Sequence, residues 1–140
     1  MDNGTPLVRL ADVDKVFNNG TVAVRRLNLD VGAGQFVSLL GPSGCGKSTV
    51  LRMVAGLGDV TRGHIEWPGG PADLGFVFQE PTLMPWSTVF HNVYLPLRLK
   101  GVARRDATDT VMQALAQVGL TGFEHVYPRS LSGGMKMRVS

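Results

Sequence analysis

Nine residues with the pattern of a phosphate-binding loop occupy positions 41–49, with the sequence GPSGCGKST. They complete G-x-x-x-x-G-K-[ST], in which glycines let the backbone turn and aim its N–H groups at an anion. The lysine of such a loop reaches the β- and γ-phosphates of a nucleotide, and the hydroxyl that follows it binds Mg²⁺. We therefore predict that Lys47 and Ser48 hold the phosphates and the metal ion of a bound nucleotide.

The segments on either side of this loop have the patterns that it requires. Residues 35–40, QFVSLL, form a short apolar run that predicts a buried parallel strand leading into the loop. Residues 47–57 carry apolar side chains at helical spacing, so a helix is expected to begin at the loop and to attract phosphate with its N-terminus. The alternative is a Gly/Ser turn without function, and the order of strand, loop and helix argues against it.

Further strands are predicted before and after this unit. Residues 7–17 and 21–31 alternate loosely between apolar and polar side chains and are separated by an Asn-Asn-Gly turn. This arrangement predicts an antiparallel β hairpin. Residues 63–67 and 74–79 predict two more strands, with a Pro/Gly turn at residues 68–71 between them.

The second half of the chain has helical patterns. Residues 88–100 suit a short helix interrupted at Pro96, because proline removes a backbone donor and its ring clashes with the preceding turn. Residues 105–118 have the clearest pattern, with apolar side chains on one face and Gly119 at the end. Ser132 begins a second glycine-containing turn that is expected to open another helix.

Composition narrows the class of protein. The 140 residues are 44% hydrophobic and 18% charged, which suits one domain with a core of its own. No apolar run approaches the roughly 20 residues of a membrane span, and the first residues lack the apolar stretch of a secretory signal, so a cytosolic location is expected. The single cysteine, Cys45, excludes an internal disulfide framework, and the scattered His64, His91 and His125 lack metal-ligand spacing. The net charge of +3 gives no reason to predict nucleic-acid binding.

The second glycine motif, LSGGM at residues 131–135, narrows the function. Alone, an SGG turn is an ordinary start of a helix. Following the phosphate-binding loop and a predicted helix, it makes the chain resemble the nucleotide-binding subunit of an ATP-binding cassette (ABC) transporter. The resemblance implies an α/β fold: a P-loop NTPase (RecA-like) core, an N-terminal antiparallel β subdomain and a helical subdomain with the signature motif. These would occupy residues 35–80, 1–34 and 81–140.

The resemblance also implies roles for single residues, with ATP and Mg²⁺ as cofactors. Phe17 would stack on adenine, although a core position in a strand is the alternative. Gln79, at the end of an apolar strand, would approach both the attacking water and Mg²⁺. The resemblance therefore makes Gln79 and Lys47 the catalytic residues, and Gln79 and Ser48 the metal ligands. Ser132, Gly133 and Gly134 would bind the γ-phosphate of ATP held by a facing subunit. The predicted nucleotide-binding residues are Phe17, Gly41, Pro42, Ser43, Gly44, Cys45, Gly46, Lys47, Ser48 and Thr49.

Two kinds of partner follow from the resemblance. A second nucleotide-binding subunit would meet this one head to tail, and transmembrane permease subunits would hold both at the inner face of the cell membrane. Residues 78–101 and Met135 resemble importers of nitrate, sulfonates and taurine. The apolar Leu83, Met84 and Trp86 either form part of a groove for a helix of the membrane subunit or cover the core.

The chain departs from the family pattern after the signature. A complete domain of this family continues into a strand with an Mg²⁺-binding aspartate, a catalytic glutamate and a histidine, and residues 1–140 contain none of them. The chain is therefore expected to be C-terminally truncated, to leave apolar sheet faces exposed and to have little or no ATPase activity alone. The hypotheses are an importer motor seen in part, a non-hydrolysing remnant, and another phosphate-loop protein such as a small kinase or GTPase. Phe17, Gln79 and the signature argue against the last.

Overall fold

The computed structural model describes residues 5–70 and 73–140. Contacts within the chain divide it into two units, Met1–Phe76 and Val77–Ser140. The division into residues 1–34, 35–80 and 81–140 stays a prediction. The first unit contains strands β1 (Val8–Val16), β2 (Val22–Val31) and β3 (Arg62–Glu66) and helix α1 (Lys47–Val54). The second contains helices α2 (Val89–Leu99), α3 (Arg104–Gln117) and α4 (Gly133–Val139), with a 3₁₀ turn at Pro128–Ser130.

The first unit is built on a three-stranded antiparallel sheet in the order β2-β1-β3. The predicted hairpin is confirmed, with Val8 opposite Val31 and Val16 opposite Val22, and so is the strand predicted at residues 63–67. Pro71, in the turn predicted at residues 68–71, lies outside the described residues.

The core of this unit lies between the sheet and α1. The alternation that predicts β1 buries Val8, Leu10 and Val13 on one face, where they pack with Val50 and Met53 of α1. The spacing of these two helical residues, three apart, places them on the same side of the helix. The helix that follows the loop is therefore anchored on the sheet by its own apolar stripe.

Two strand predictions are wrong in this structure. Residues 35–40 and 74–79 are not in strands, and the side chains of Phe36 and Leu40 are 95% and 91% exposed. A buried parallel strand needs hydrogen-bonded neighbours beside it and helices over both faces. Within the described residues the sheet consists of β1, β2 and β3 alone, so neither segment has such a neighbour. The predicted exposure of apolar sheet faces stays a prediction, because Phe36 and Leu40 are exposed outside any strand.

The second unit packs its helices around a separate core. The helix predicted at residues 105–118 is confirmed as α3, and Gly119 ends it with a left-handed φ of 68°. The core consists of apolar side chains from all three helices and the segments between them: Val89, Phe90, Tyr94, Ala107, Val111, Leu115, Leu120, Leu131 and Val139.

Helix α2 continues through Pro96, so the predicted interruption is wrong. A proline inside a helix costs about 3 kcal/mol or more, because a backbone hydrogen bond is lost and the ring crowds the preceding turn. In α2 that cost is opposed by the burial of Phe90 and Tyr94, and the Tyr94 hydroxyl donates to the Val102 carbonyl at 2.7 Å. Tertiary packing thus determines the length of this helix, although the local preference of proline is to interrupt it.

The loop before the signature caps the N-terminus of α2. The N–H groups of Val89 and Phe90 donate to the carbonyls of Val126 and Glu124, each at 2.9 Å. The buried Glu124 carboxylate in turn accepts a hydrogen bond from the Gly122 N–H at 2.8 Å. One short loop therefore satisfies donors that a helix start leaves without an intrahelical partner.

Glu124 should make the stability of the chain depend on pH. Hydrogen bonds from the backbone N–H groups of Gly122 and Glu124 itself hold the pKa of Glu124 below its ordinary value of 4.5. Because the folded pKa is the lower one, the carboxylate stabilises the fold above about pH 4.5 and this contribution is lost as pH falls through the folded pKa. Glu124→Gln should therefore lower the urea midpoint at pH 7, and the difference from wild type should shrink below pH 4.5.

The control is Glu80→Gln, which removes an exposed carboxylate from the same unit. It should leave the urea midpoint nearly unchanged across the same pH range, because exposed surface substitutions have small effects. If the Glu124 and Glu80 variants gave the same pH dependence, the backbone hydrogen bonds to Glu124 would not be its cause.

Candidate nucleotide-binding site

The loop at residues 41–49 turns through three glycines with positive φ. The angles are 155° at Gly41, 81° at Gly44 and 94° at Gly46, and α1 begins at the next residue. The first hydrogen bond of the helix joins the Val50 N–H to the Gly46 carbonyl at 2.9 Å. The N–H groups before Val50 have no intrahelical acceptor, so they and the positive end of the helix dipole face the loop.

Position 46 also requires glycine because its backbone lies very close to the sheet. A Cβ at this position would lie 2.3 Å from the Ala23 carbonyl oxygen of β2. A backbone oxygen in a paired strand cannot move aside as a flexible side chain can. The close approach sets the loop directly against β2, which the sequence pattern alone does not reveal.

The Lys47 ammonium lies inside the loop. It donates to the carbonyls of Gly41 and Pro42 at 2.8 and 2.7 Å and lies 3.4 Å from the Cys45 sulfur. The cation is therefore held where the turned backbone also presents N–H groups. Phosphate oxygens entering the loop would replace the two carbonyls as acceptors for a charge that is already in place, which gives stronger, charge-assisted hydrogen bonds.

A cavity of about 360 Å³ adjoins the loop. Its wall consists of residues 23–25 and 27 of β2, residues 38–40, residues 45–47 of the loop and Val50. Ligand pockets in proteins begin at about 300 Å³ and combine apolar walls with a few polar groups. The lining of this cavity combines apolar side chains, among them Leu39 and Val50, with the lysine of the loop.

The residues present suit an Mg²⁺ ion that arrives with a nucleotide. Within the described part of the chain, no group of three or more His, Cys, Asp or Glu could hold a metal ion. Mg²⁺ in phosphate sites takes one or two protein oxygens and completes its shell with phosphates and water. The exposed hydroxyl of Ser48, in the first turn of α1, is an oxygen of this kind.

Phe17 lies at the hairpin turn that follows β1. Its N–H donates to the Thr21 carbonyl at 2.9 Å, and its own carbonyl accepts from the Gly20 N–H at 2.8 Å. The residue is 44% exposed, so the alternative of a core position in the strand is wrong. The ammonium of Lys15, a residue that the sequence interpretation did not single out, lies 5.6 Å from the centre of the ring.

Gln79 does not end a strand, because residues 74–79 form none. It lies exposed in a bend of the second unit, whereas Lys47 and Ser48 belong to the first. Its predicted roles in catalysis and metal binding rest on the family resemblance and stay predictions.

Ser132 caps α4, as predicted from the glycine motif. Its hydroxyl oxygen accepts a hydrogen bond from the Met135 N–H at 3.3 Å. Gly133 and Gly134 occupy the first turn of the helix, are exposed, and have open space where a Cβ would lie. Glycine in a helix costs up to about 1 kcal/mol relative to alanine, and no contact within the described residues calls for glycine at either position.

Comparison with known proteins decides the family. The profile of the family described as ABC transporter matches residues 24–140, from β2 through the loop to the end of α4. The chain belongs to the ABC transporter family. The resemblance carried by the loop and the signature is thereby confirmed.

Relatives of this ABC protein include ATP-binding subunits of importers. An uncharacterized ABC transporter ATP-binding protein of Methanocaldococcus jannaschii is 42% identical over 95% of this chain and 53% of its own length. The nitrate import ATP-binding protein NrtD of Synechocystis sp. is 43% identical with the same two coverages. The chain thus spans about half the length of these curated relatives.

A solved structure confirms the fold. The ATP-binding cassette MJ0796, a dimer in a post-hydrolysis state bound to ADP and Pi, matches with a TM-score of 0.85 and 32% identity, over 94% of this chain and 66% of that chain. The fold of the ABC protein is therefore that of part of a P-loop NTPase domain. No helix within residues 5–70 and 73–140 is long and apolar enough to cross a bilayer.

In the second unit of this ABC protein, the apolar segment around Leu83, Met84 and Trp86 contains both partly buried and exposed side chains. Leu83 packs partly buried against the second core, which agrees with the interpretation that the segment covers the core. Trp86 is 75% exposed, which the core does not explain. Aromatic side chains are enriched at contacts between proteins.

Asn92 holds the loop that carries Trp86. Its side-chain oxygen accepts from the Met84 N–H at 2.7 Å. The two N–H groups of its side-chain nitrogen are shared among the carbonyl oxygens of Met84, Ser87 and Thr88, which lie 3.3, 3.1 and 2.9 Å from the nitrogen. One amide therefore ties both ends of residues 84–88 to α2, and Trp86 projects from a fixed loop.

Proposed function

We propose that these residues belong to the ATP-binding subunit of an ABC importer, which binds Mg-ATP and couples its hydrolysis to solute import across the cytoplasmic membrane. The observation that carries the proposal is the Lys47 ammonium held inside the glycine loop at the start of α1. Lys47 and the N–H groups of the loop would bind the phosphates. Ser48 would coordinate Mg²⁺, which neutralises phosphate charge when it is bound.

ATP would be completed as a ligand by a second subunit. In this proposal Ser132, Gly133 and Gly134 of one chain approach the γ-phosphate held by Lys47 of the other, head to tail. The open space beside both glycines supports this proposal. Glycine allows a ligand to approach the backbone closely, and no packing contact within the described residues explains glycine at these two positions. ATP would then join the two subunits, and its loss would release them.

The solute and the membrane partners are proposed from the relatives. Nitrate, aliphatic sulfonates and taurine appear in the names of importer proteins that are 42–45% identical to this chain. We propose a small anionic solute of this kind, permease subunits as partners, and a position at the inner face of the cell membrane. Trp86 on its fixed loop is the side chain proposed to contact the permease.

A second candidate is a chain that binds Mg-ATP without hydrolysing it. This candidate concerns a polypeptide of the 140 residues alone, which span about half the length of the curated relatives they match. The family resemblance puts the carboxylates that act on the attacking water after the signature motif, and Gln79 alone would not replace them. For a polypeptide of these 140 residues we expect binding with little or no turnover.

Binding, dimer formation and turnover can be measured separately. Sedimentation of the protein with Mg-ATP should show a dimer, and with Mg-ADP a monomer. Gly134→Ala should keep ATP affinity per chain and raise the unfolding free energy by up to about 1 kcal/mol, because alanine favours the helix. The same variant should lose the ATP-dependent dimer, because its Cβ would lie where a γ-phosphate must approach.

The matched control is Gly58→Ala, since Gly58 also has open space where a Cβ would lie but is not in the signature. It should dimerise as wild type does. A Gly134 variant that still dimerised with ATP would argue against the two-chain site. Phosphate release by the 140-residue polypeptide at a rate of about 1 s⁻¹ or more would favour the hydrolysing motor over the second candidate.

A further inference from the structure

Lys15 makes two contacts that together fix its ammonium group. The group donates to the Asp59 carbonyl oxygen at 2.6 Å, across 44 positions of sequence. It also lies 5.6 Å from the centre of the Phe17 ring, within the range of a cation–π interaction. The cation is therefore held against one face of the ring by an acceptor from another part of the chain.

The acceptor is itself held in place. Thr61, two residues after Asp59, donates its N–H to the Asp14 carbonyl at 2.8 Å. Its hydroxyl accepts from the Val16 N–H at 3.0 Å and donates to the Val16 carbonyl at 3.2 Å. The segment that carries the Asp59 carbonyl is thus joined to the end of β1 on both sides of Lys15.

The backbone of Phe17 is restrained, but its side chain is not enclosed. The hairpin turn binds both its N–H and its carbonyl, while 44% of the residue remains exposed. An exposed ring loses rotational freedom when a ligand stacks on it, and this loss of entropy opposes binding. A cation fixed against one face selects one ring orientation before any ligand arrives.

We propose that Lys15 is a positioning residue for the base of the bound nucleotide: it holds the Phe17 ring so that the opposite face receives a purine. This inference rests on the proposed function, in which Phe17 stacks on adenine. Lys15 acts through the ring and does not touch the phosphates. Its removal should therefore weaken the binding of ligands that have a base and spare those that have only phosphates.

The test compares ATP with inorganic tripolyphosphate, each with Mg²⁺, by isothermal titration calorimetry of the full chain. At about 0.15 M salt, long-range attraction of phosphates by an exposed charge is largely screened. Lys15→Met, which removes the cation and keeps an apolar stem, should weaken ATP binding roughly two- to five-fold. Its affinity for tripolyphosphate should match that of wild type.

Two further variants make the result specific. Lys15→Arg keeps a cation that stacks on aromatic rings and should restore most of the ATP affinity. In a Phe17→Leu background, Lys15→Met should cause no further loss, because the ring through which Lys15 acts is absent. If Lys15→Met does not fold, Lys15→Gln serves in its place, since it keeps a donor for the Asp59 carbonyl and removes the charge.

The outcomes separate this inference from the proposed function. An equal loss of affinity for ATP and tripolyphosphate, or no loss for either, would overturn the role of Lys15 while phosphate binding stood. A further loss in the Phe17→Leu background would do the same. If wild type bound neither ligand, the proposed function would fail and the inference with it.

Discussion

Gly46→Ala should destabilise the protein by about 3 kcal/mol, because a left-handed backbone strains alanine by 1–2 kcal/mol and overpacking against a fixed atom adds a similar amount. The φ of Gly46 is 94°, and a Cβ there would lie 2.3 Å from the Ala23 carbonyl oxygen. Neither the loop nor β2 can relieve the contact without giving up hydrogen bonds. Urea unfolding at pH 7 gives the change in free energy, and the cavity beside the loop should be distorted in any variant that folds.

Gly44 provides a matched control within the same loop. Its φ of 81° is also left-handed, but nothing lies within 4 Å of the position of a Cβ. Gly44→Ala should therefore cost only the backbone strain, about 1–2 kcal/mol. The difference between the two variants isolates the contact with β2. Equal losses for Gly44 and Gly46 would show that the approach to Ala23 does not constrain the loop.

Lys47→Ala should weaken Mg-ATP binding about 10- to 100-fold, since a hydrogen bond to a charged group contributes roughly 1.5–3 kcal/mol. The ammonium lies in the loop at 2.8 and 2.7 Å from two carbonyl oxygens, where phosphate oxygens would enter. Calorimetric titration with ATP measures the loss. Tripolyphosphate affinity should fall by a similar factor, in contrast to the effect expected for Lys15.

The control for charge is Arg52→Ala, which removes an exposed cation from the last turn of the same helix. Arg52 lies at the opposite end of α1 from the loop, so its removal should change ATP affinity less than two-fold at about 0.15 M salt. Similar losses for Lys47 and Arg52 would mean that ATP binding reflects net charge and not the geometry of the loop. That result would remove the main support for the proposed function.

The parts of the fold that follow from local sequence were predicted well. The hairpin, α1, α3 and the start of α4 at Ser132 depend on turn residues, capping side chains and apolar spacing within a few positions. Residues 35–40 show the limit of this reasoning. Their apolar run predicts a buried strand, but a run of this kind becomes a strand only beside another strand, and the described residues place none there.

The sequence predicts which residues form the candidate site, but it does not predict the contacts that they make. Lys47 and Ser48 were predicted from the loop pattern, and Phe17 from the family resemblance. Lys15 has no motif of its own, because its role depends on a ring two residues away and on the carbonyl of Asp59, 44 positions later. Side-chain geometry of this kind cannot be inferred from residue types.

By itself, the sequence determined a turning glycine loop followed by a helix, a lysine at the start of that helix, and a serine cap before two glycines. These features arise from hydrogen bonds and steric limits within one or two turns of the chain. The tertiary structure decided which atoms meet across the fold: Gly46 against Ala23, Lys15 against Phe17 and Asp59, and α2 continuing through Pro96. Such contacts join residues that are distant in sequence, and only packing of the whole unit determines which of them form.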